Sequence, residues 1–254
     1  MATDTTGLSS LHPFPAQHPW DRAFALLFVA AAWAAIIMGF QPAVAARFGG
    51  HADYPAPLIL QAHVFTFTGW MVLLTVQASL ISLKREDLHR RLGLAATILM
   101  PLMVITALGA EIYSQHFYSP KYPANLAFFA MPLLEMSAFA GLSISAVVLR
   151  RDPPAHKRLI LLATSWILAA AYNRWLGDPL YKVAGDGYFG MLVVFLGGPN
   201  LLMTVLMAYD LVTRRRLHRV YLIAVPILLA CEAVTSFLYH SPAWPPVVRR
   251  LVGL

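Results

Sequence analysis

The sequence predicts an all-α fold, a polytopic membrane bundle of seven transmembrane helices. Three observations predict it. Of 254 residues, 59% are hydrophobic and only 12% charged, against roughly 45–50% apolar and about 25% charged in soluble domains. The apolar residues gather into seven runs, each near the ~20 residues a helix needs to cross a bilayer. The Lys and Arg residues collect in short loops between alternate runs. In a soluble domain the net charge of +7 would suggest nucleic acid. Here the basic residues orient the chain instead, so nucleic acid is excluded as a partner and the lipid bilayer takes its place.

The elements follow in order. Residues 1–21 form a polar leader with Pro13, Pro15 and Pro19, predicted to be extended, with Trp20 at the membrane interface. The first run, 22–40, precedes a signal-like "AVAA" at 43–46. The run is long and a polar leader stands before it, which predicts a retained helix rather than a cleaved one. Further helices are predicted at 57–82, 92–113, 125–149, 157–176, 188–212 and 220–240, which closes a transmembrane domain at 22–240 and leaves a tail at 241–254. The single cysteine, Cys231, lies inside an apolar run, so an intrachain disulfide and a thiolate metal cluster are both excluded.

Orientation comes from the basic residues. Loops 84–91, 150–158 and 214–219 carry four Lys or Arg each, whereas the intervening loops carry Arg47, Lys121 and Lys182. The positive-inside rule places the first set in the cytoplasm, which puts the N-terminus inside and the C-terminal tail in the periplasm of a bacterial inner membrane. Arg249 and Arg250 in the tail argue weakly against this. The three basic loops also share a pattern: "LKREDLHRRLG" at 83–93, "LRRDPPAHKRL" at 149–159 and "VTRRRLHRV" at 212–220 each set a His beside Arg or Lys at the start of a returning helix. His89, His156 and His218 thus mark three hairpin repeats after helix one. In the second, Asp152 is placed as an N-cap and Pro153 at the first helical position.

An imidazole near a helix N-terminus and among cations is favoured in its neutral form, which can ligate a metal. The alternative is that His and Arg merely suit the headgroup zone. A second polar set lies within the spans, where ionisable groups are costly and point to function. It comprises Glu111, Glu135, Asn173, Arg174, Asn200, Glu232 and Tyr239, with His63, Trp70 and Gln77 along one face of the second helix. At about 1.5 Å per residue from the basic loops, Glu135, Asn200 and Glu232 fall at about 21 Å and Arg174 at about 27 Å. That shared depth predicts one polar cavity in the outer half of the bilayer. "GGPN" at 197–200 is expected to loosen the helix beside Asn200, and Arg174 to pair with Glu135, Glu232 or Asp178.

"LHRRLG" at 88–93, "HKRLILLAT" at 156–164 with Arg174 beyond it, "YDLVTRRRLHRVYL" at 209–222 and "SPAW" at 241–244 resemble a family of bacterial seven-helix membrane proteins without an assigned activity. The resemblance runs from about residue 57 to the end and implies topology. A fainter similarity is to transmembrane b-type cytochromes, which bind haem between a His near the start of one helix and a His two helices later. That similarity implies haem b between His89 and His156. It leaves His218 as a third imidazole, Arg85, Arg90, Arg91 and Arg158 as partners of the propionates, and His63 as a second-site metal ligand whose helix-four partner is absent. Three functions follow: a haem-binding electron-transfer protein or redox subunit, a non-catalytic accessory subunit packed against other membrane subunits, or a transporter of a small solute or ion through the outer polar cavity. A zinc hydrolase is disfavoured, because no HExxH-type pair is present.

Overall fold

A computed structural model describes residues 14, 15 and 17–254 of the chain. Among them there are helices and no strands. The helices are α1 (Asp21–Phe48), α2 (Leu58–Ser82), α3 (Glu86–Tyr118), a short 3-10 helix (Pro123–Phe129) continued by α4 (Ala130–Val148), α5 (Pro153–Ile167), α6 (Ala169–Ala184), α7 (Tyr188–Arg214), α8 (Arg219–His240) and α9 (Trp244–Val252). Six of these segments are long and apolar enough to cross a membrane, or seven if the bent pair α5 and α6 counts as one span. Most of the expected leader, and with it the expectation that the leader is extended, lies outside the described residues.

Local chemistry explains several boundaries. Asp152 caps α5, its side chain accepting from the Ala155 N–H at 3.2 Å, and Pro153 fills the first helical position, where its missing N–H has no partner to lose. His218 caps α8 in the same way, its Nδ1 accepting from the Val220 N–H at 3.2 Å. Within the apolar interior, Trp33 donates to Thr75 between α1 and α2 at 3.0 Å, Trp70 donates to Thr164 between α2 and α5 at 3.1 Å, and the Thr66 and Thr106 hydroxyls meet at 2.9 Å between α2 and α3. Lipid tails are as apolar as Leu and cannot drive helices together, so such interhelical bonds and close packing hold the bundle.

Two expectations need correction. The fifth predicted span, 157–176, is two helices meeting at Leu168 with a 47° bend. No Pro or Gly lies between Ser165 and Tyr172. The turn tightens instead, the Leu168 N–H bonding only three residues back, to the Ser165 carbonyl at 3.3 Å. Packing supplies the cause: α6 leans onto α1 and α7. A Cβ on Gly39 of α1 would strike the Ala171 backbone, and one on Gly198 of α7 would strike the Tyr172 ring. Gly198 therefore serves as a contact surface within a continuous α7. The tail, for which no helix was predicted, folds into α9. Its buried face, Trp244, Val248 and Val252, packs on Leu126 and Phe129, while Arg249 and Arg250 face outward. The His116 Nε2–H donates to the Val252 carbonyl at 2.7 Å and pins α9 to α3.

The opposite end, where the basic loops gather, carries a buried ion network. Asp210 of α7 and Arg158 of α5 are 1% and 2% exposed. Their side chains are joined by two hydrogen bonds, one of them Nε to Oδ2 at 2.7 Å. Asp21 at the start of α1 accepts from Arg214 at 2.7 and 2.8 Å, from Lys157 at 2.7 Å and from the Tyr209 hydroxyl at 2.9 Å. Arg214 also lies 3.6 Å from Asp210. The ring of Phe14 rests against the guanidiniums of Arg158, Arg214 and Arg216 at 4.6, 5.6 and 5.2 Å.

Two outcomes test this packing by thermal unfolding in detergent. Asp210→Leu strands a buried guanidinium and should cost about 3–5 kcal/mol, whereas adding Arg158→Met should recover most of the loss. Gly198→Ala should cost about 1–3 kcal/mol by overpacking against Tyr172, and an unchanged melting temperature would mean that α6 is free to move away.

Candidate functional site

Toward the end opposite the basic loops, α6 packs on α1 and α7, while α3 packs on α2 and α4. Arg174 of α6 bridges these groups. Its charge acts on Glu111 of α3, Glu135 of α4 and His63 of α2, and its guanidinium lies 4.8 Å from the centre of the Phe40 ring of α1. The side chains come from five helices.

Their hydrogen bonding is incomplete. The one hydrogen bond of Arg174 is to the Ala170 carbonyl at 3.2 Å, one turn back on its own helix. Among the described residues no carboxylate lies within 4.0 Å of it, although Glu111 and Glu135 are the acids it feels. Glu111 accepts from Gln115 at 2.6 Å. His63 Nδ1 is buried without a hydrogen-bond partner. Arg174 keeps more than a third of its surface open, in spite of the helices around it. Among the described residues Arg174 thus makes one side-chain hydrogen bond, the Glu111 carboxylate one, and His63 Nδ1 none.

The remaining members of the expected cavity have nearer partners. Asn200 donates to Glu232 at 3.1 Å between α7 and α8, leaving the second Glu232 oxygen buried and unbonded. Asn173 donates to the Val194 carbonyl at 3.2 Å. Tyr239 packs against Phe195 and His240. Of the three acids expected beside Arg174, only Glu135 acts on it, and Glu111 takes the second place. Glu111 was not anticipated in that role because it stands at the predicted end of helix three, while the helix runs on to Tyr118.

Beside Glu111 stands a polar latch. Gln115 is fully buried. Its amide N–H donates to Glu111 and, at 3.3 Å, to the Asn125 carbonyl, and its oxygen accepts from the Asn125 amide at 3.2 Å. This ties α3 to the 3-10 helix on which α9 lies.

At the basic end the loop histidines part company. His89 and His156 meet, ring centres 6.4 Å apart and planes at 87°. His156 Nδ1–H donates to the Ala146 carbonyl at 2.8 Å, the kind of second hydrogen bond that commonly fixes a metal-ligating imidazole. His89 Nδ1 is buried and unpartnered. His218 is occupied as the α8 cap and against Phe14, ring centres 4.6 Å apart. The two rings expected to share haem b are therefore brought together, in an edge-to-face contact. The expected propionate partners fit less well: Arg90 reaches Glu86 at 3.4 Å, Arg85 reaches Asp87 at 3.2 Å, and Arg158 is bound to Asp210.

The ion network of Asp21, Lys157, Asp210 and Arg214 was not foreseen. Its signal was nonetheless present. Asp210 stands four residues before Arg214, and Asp21 opens an otherwise apolar helix. No family model, curated protein or solved structure matches the chain.

The His218 imidazole yields a pH test. Burial first, and the Arg158 charge second, push it down to about 4 from 6.5. As pH falls from 6.5 towards 4 the unfolded chain takes up a proton here that the folded chain resists. The stability present above that window is therefore lost across it. His218→Asn keeps a side-chain cap acceptor without the titration. It should flatten the fall in melting temperature between about pH 7 and about pH 5, and a slope equal to the parent's would place the acid sensitivity in another group.

Proposed function

We propose that the chain is a seven-span integral membrane protein of the bacterial inner membrane, its N-terminus cytoplasmic and its tail periplasmic, that binds and passes a small polar solute through the space around Arg174. Counting α5 and α6 as one bent span gives the seven, and the twelve basic residues of the three loops at one end give the orientation. One observation carries the function. The partly exposed guanidinium of Arg174, on a helix within the spanning region, has no carboxylate within 4.0 Å among the described residues, although the charges of Glu135 and Glu111 act on it. A structural ion pair would close to contact, as Arg158 and Asp210 do. Charged groups held apart in low dielectric are stable only with something polar between them.

The ends of the bundle suit such a path. The Gln115–Asn125 latch and α9 close the periplasmic side, and the Asp21 and Asp210 network closes the cytoplasmic side. Passage requires each to open in turn. Both are built from polar contacts between different helices, which break and re-form without unfolding a helix.

Reswelling of shrunken proteoliposomes tests the reading, with glycine, glycerol, sodium propionate and methylammonium chloride as osmolytes. At least one should enter faster than into protein-free vesicles, and Glu135→Gln or Arg174→Gln should abolish the gain at an unchanged melting temperature. Entry equal to protein-free vesicles for all four would reject it.

A second reading, haem b held between His89 and His156 in a membrane redox protein, is favoured by the 6.4 Å approach of the rings and the His156–Ala146 bond. Bound there, the iron would supply one-electron chemistry. The two imidazoles would hold and orient it. Protein made with haem supplied should then show a reducible Soret band that is lost in His89→Ala and in His156→Ala. A folded, colourless protein would reject the redox reading.

A further inference from the structure

Helices α2 and α3 pack on each other as a hairpin, and two hollows open along the seam between them. The first, of about 480 Å³, lies between Val76 and Leu80 of α2 and Leu88, Arg91 and Leu92 of α3. The second, of about 260 Å³, lies between Gly69 and Leu73 of α2 and Ala95, Leu99 and Leu102 of α3. On each helix the lining positions recur at steps of three and four residues, so each set forms a single stripe. The two hollows are therefore successive parts of one furrow. It opens outward, since Val76, Leu92 and Leu102 are all exposed.

Charge marks one end of the furrow. Its other lining residues are apolar, whereas Arg91 is exposed and has no hydrogen-bond or ion-pair partner among the described residues. The neighbouring cations of the turn are occupied, Arg85 by Asp87 at 3.2 Å and Arg90 by Glu86 at 3.4 Å. Lys84, where the two helices join, has no such partner either. Both acids of the turn are thus taken up, and the positive charge left over stands at the head of an apolar furrow.

From Arg91 to Leu102, α3 rises about 17 Å at ~1.5 Å per residue. That is close to half of the roughly 30 Å hydrocarbon core, the depth of one leaflet. An acyl chain lying in the furrow would bring its own headgroup to Arg91. A guanidinium takes a phosphate through two parallel hydrogen bonds, and basic pockets on spanning helices suit anionic headgroups. Other occupants match less well. An apolar helix of a partner would cover an unpaired guanidinium at a desolvation cost. A second copy related by a two-fold axis along the membrane normal would bring its own Arg91 to the same depth, against this one.

We propose that the furrow binds an anionic phospholipid, one acyl chain lying along the α2–α3 seam and the phosphate on Arg91. Lys84 adds to the field that selects a headgroup of net negative charge.

Native mass spectrometry of the purified chain in detergent provides the test, with dioleoyl phosphatidylglycerol and dioleoyl phosphatidylcholine offered at equal concentration. The two lipids share their chains and differ in net headgroup charge. The first should be retained at least about tenfold more strongly, the scale of one charge-assisted contact. Arg91→Gln should bring the ratio close to one, and Arg91→Lys, which keeps the charge and loses the fork, should lower it partway. Ala95→Phe fills the furrow from an exposed position without touching a charge, and should weaken retention of both lipids. Each variant is compared at the parent's melting temperature in lipid-free detergent.

Equal retention of the two lipids by the parent, or a preference unchanged in Arg91→Gln, would overturn the proposal and leave the hairpin with ordinary bilayer contact. A dimer in detergent that Ala95→Phe converts to a monomer, with the lipid preference unaltered, would overturn it in favour of an interface between copies.

Discussion

The bundle depends on how it disposes of charge in a medium that does not solvate it. Asp210 and Arg158 are buried to within a few per cent of completely, at the end where the basic loops collect, and each is the other's compensation. Removing water from two such ions costs several kcal/mol apiece, and only close, multiply bonded geometry offsets that cost. Asp21 repeats the arrangement with Arg214, Lys157 and Tyr209. Together these contacts fix α1, α5 and α7 relative to one another at one end. With that end fixed, α6 has to leave α5 at an angle to reach its place between α1 and α7. Gly39 and Gly198 let it approach both closely, and the bend at Leu168 follows from this placement.

The bend also decides where Arg174 goes. A straight continuation of α5 would keep packing as α5 does, on α4 and α7. The inclined α6 instead sends the guanidinium towards acids on α3 and α4 that it does not touch. The two charged regions are thus opposite solutions to one problem. At the basic end every carboxylate of the network is bonded to more than one cation or hydroxyl and the charges are closed upon each other. Around Arg174 the charges are held apart by the helices that carry them.

Much of this arrangement was legible in the sequence, and the exceptions have identifiable physical causes. The apolar runs and the Asp152–Pro153 start of α5 were readable because hydropathy and capping are local properties. The approach of His89 to His156 was readable from their equivalent places at two helix starts. The break at Leu168 was not, since Ser165 to Tyr172 contains no helix-breaking residue and the cause lies in glycines more than 25 residues away on other helices. The α9 helix was hidden because nine residues give too short a pattern. Its apolar face is defined only by Leu126 and Phe129, which it covers. Counting depth along helices placed Glu135, Asn200 and Glu232 at one level, but depth says nothing of the azimuth about each axis. Asn200 and Glu232 therefore turned out to bond to each other, and Glu111, counted as a helix end, is the second acid whose charge acts on Arg174.

A related distinction separates the two polar features whose hydrogen bonding is left incomplete. His89 and His156 are two imidazoles brought into one place, one of them anchored by a backbone carbonyl and the other buried with its Nδ1 unbonded. Two imidazoles can supply part of a metal ion's coordination. The groups around Arg174 impose charge, of both signs and from separate helices. Movement of α6 against α3 and α4 would change the distance between those signs directly. Because the bend and the two glycines govern where α6 sits, the same residues that make the close packing possible also set how far Arg174 stands from the acids on α3 and α4.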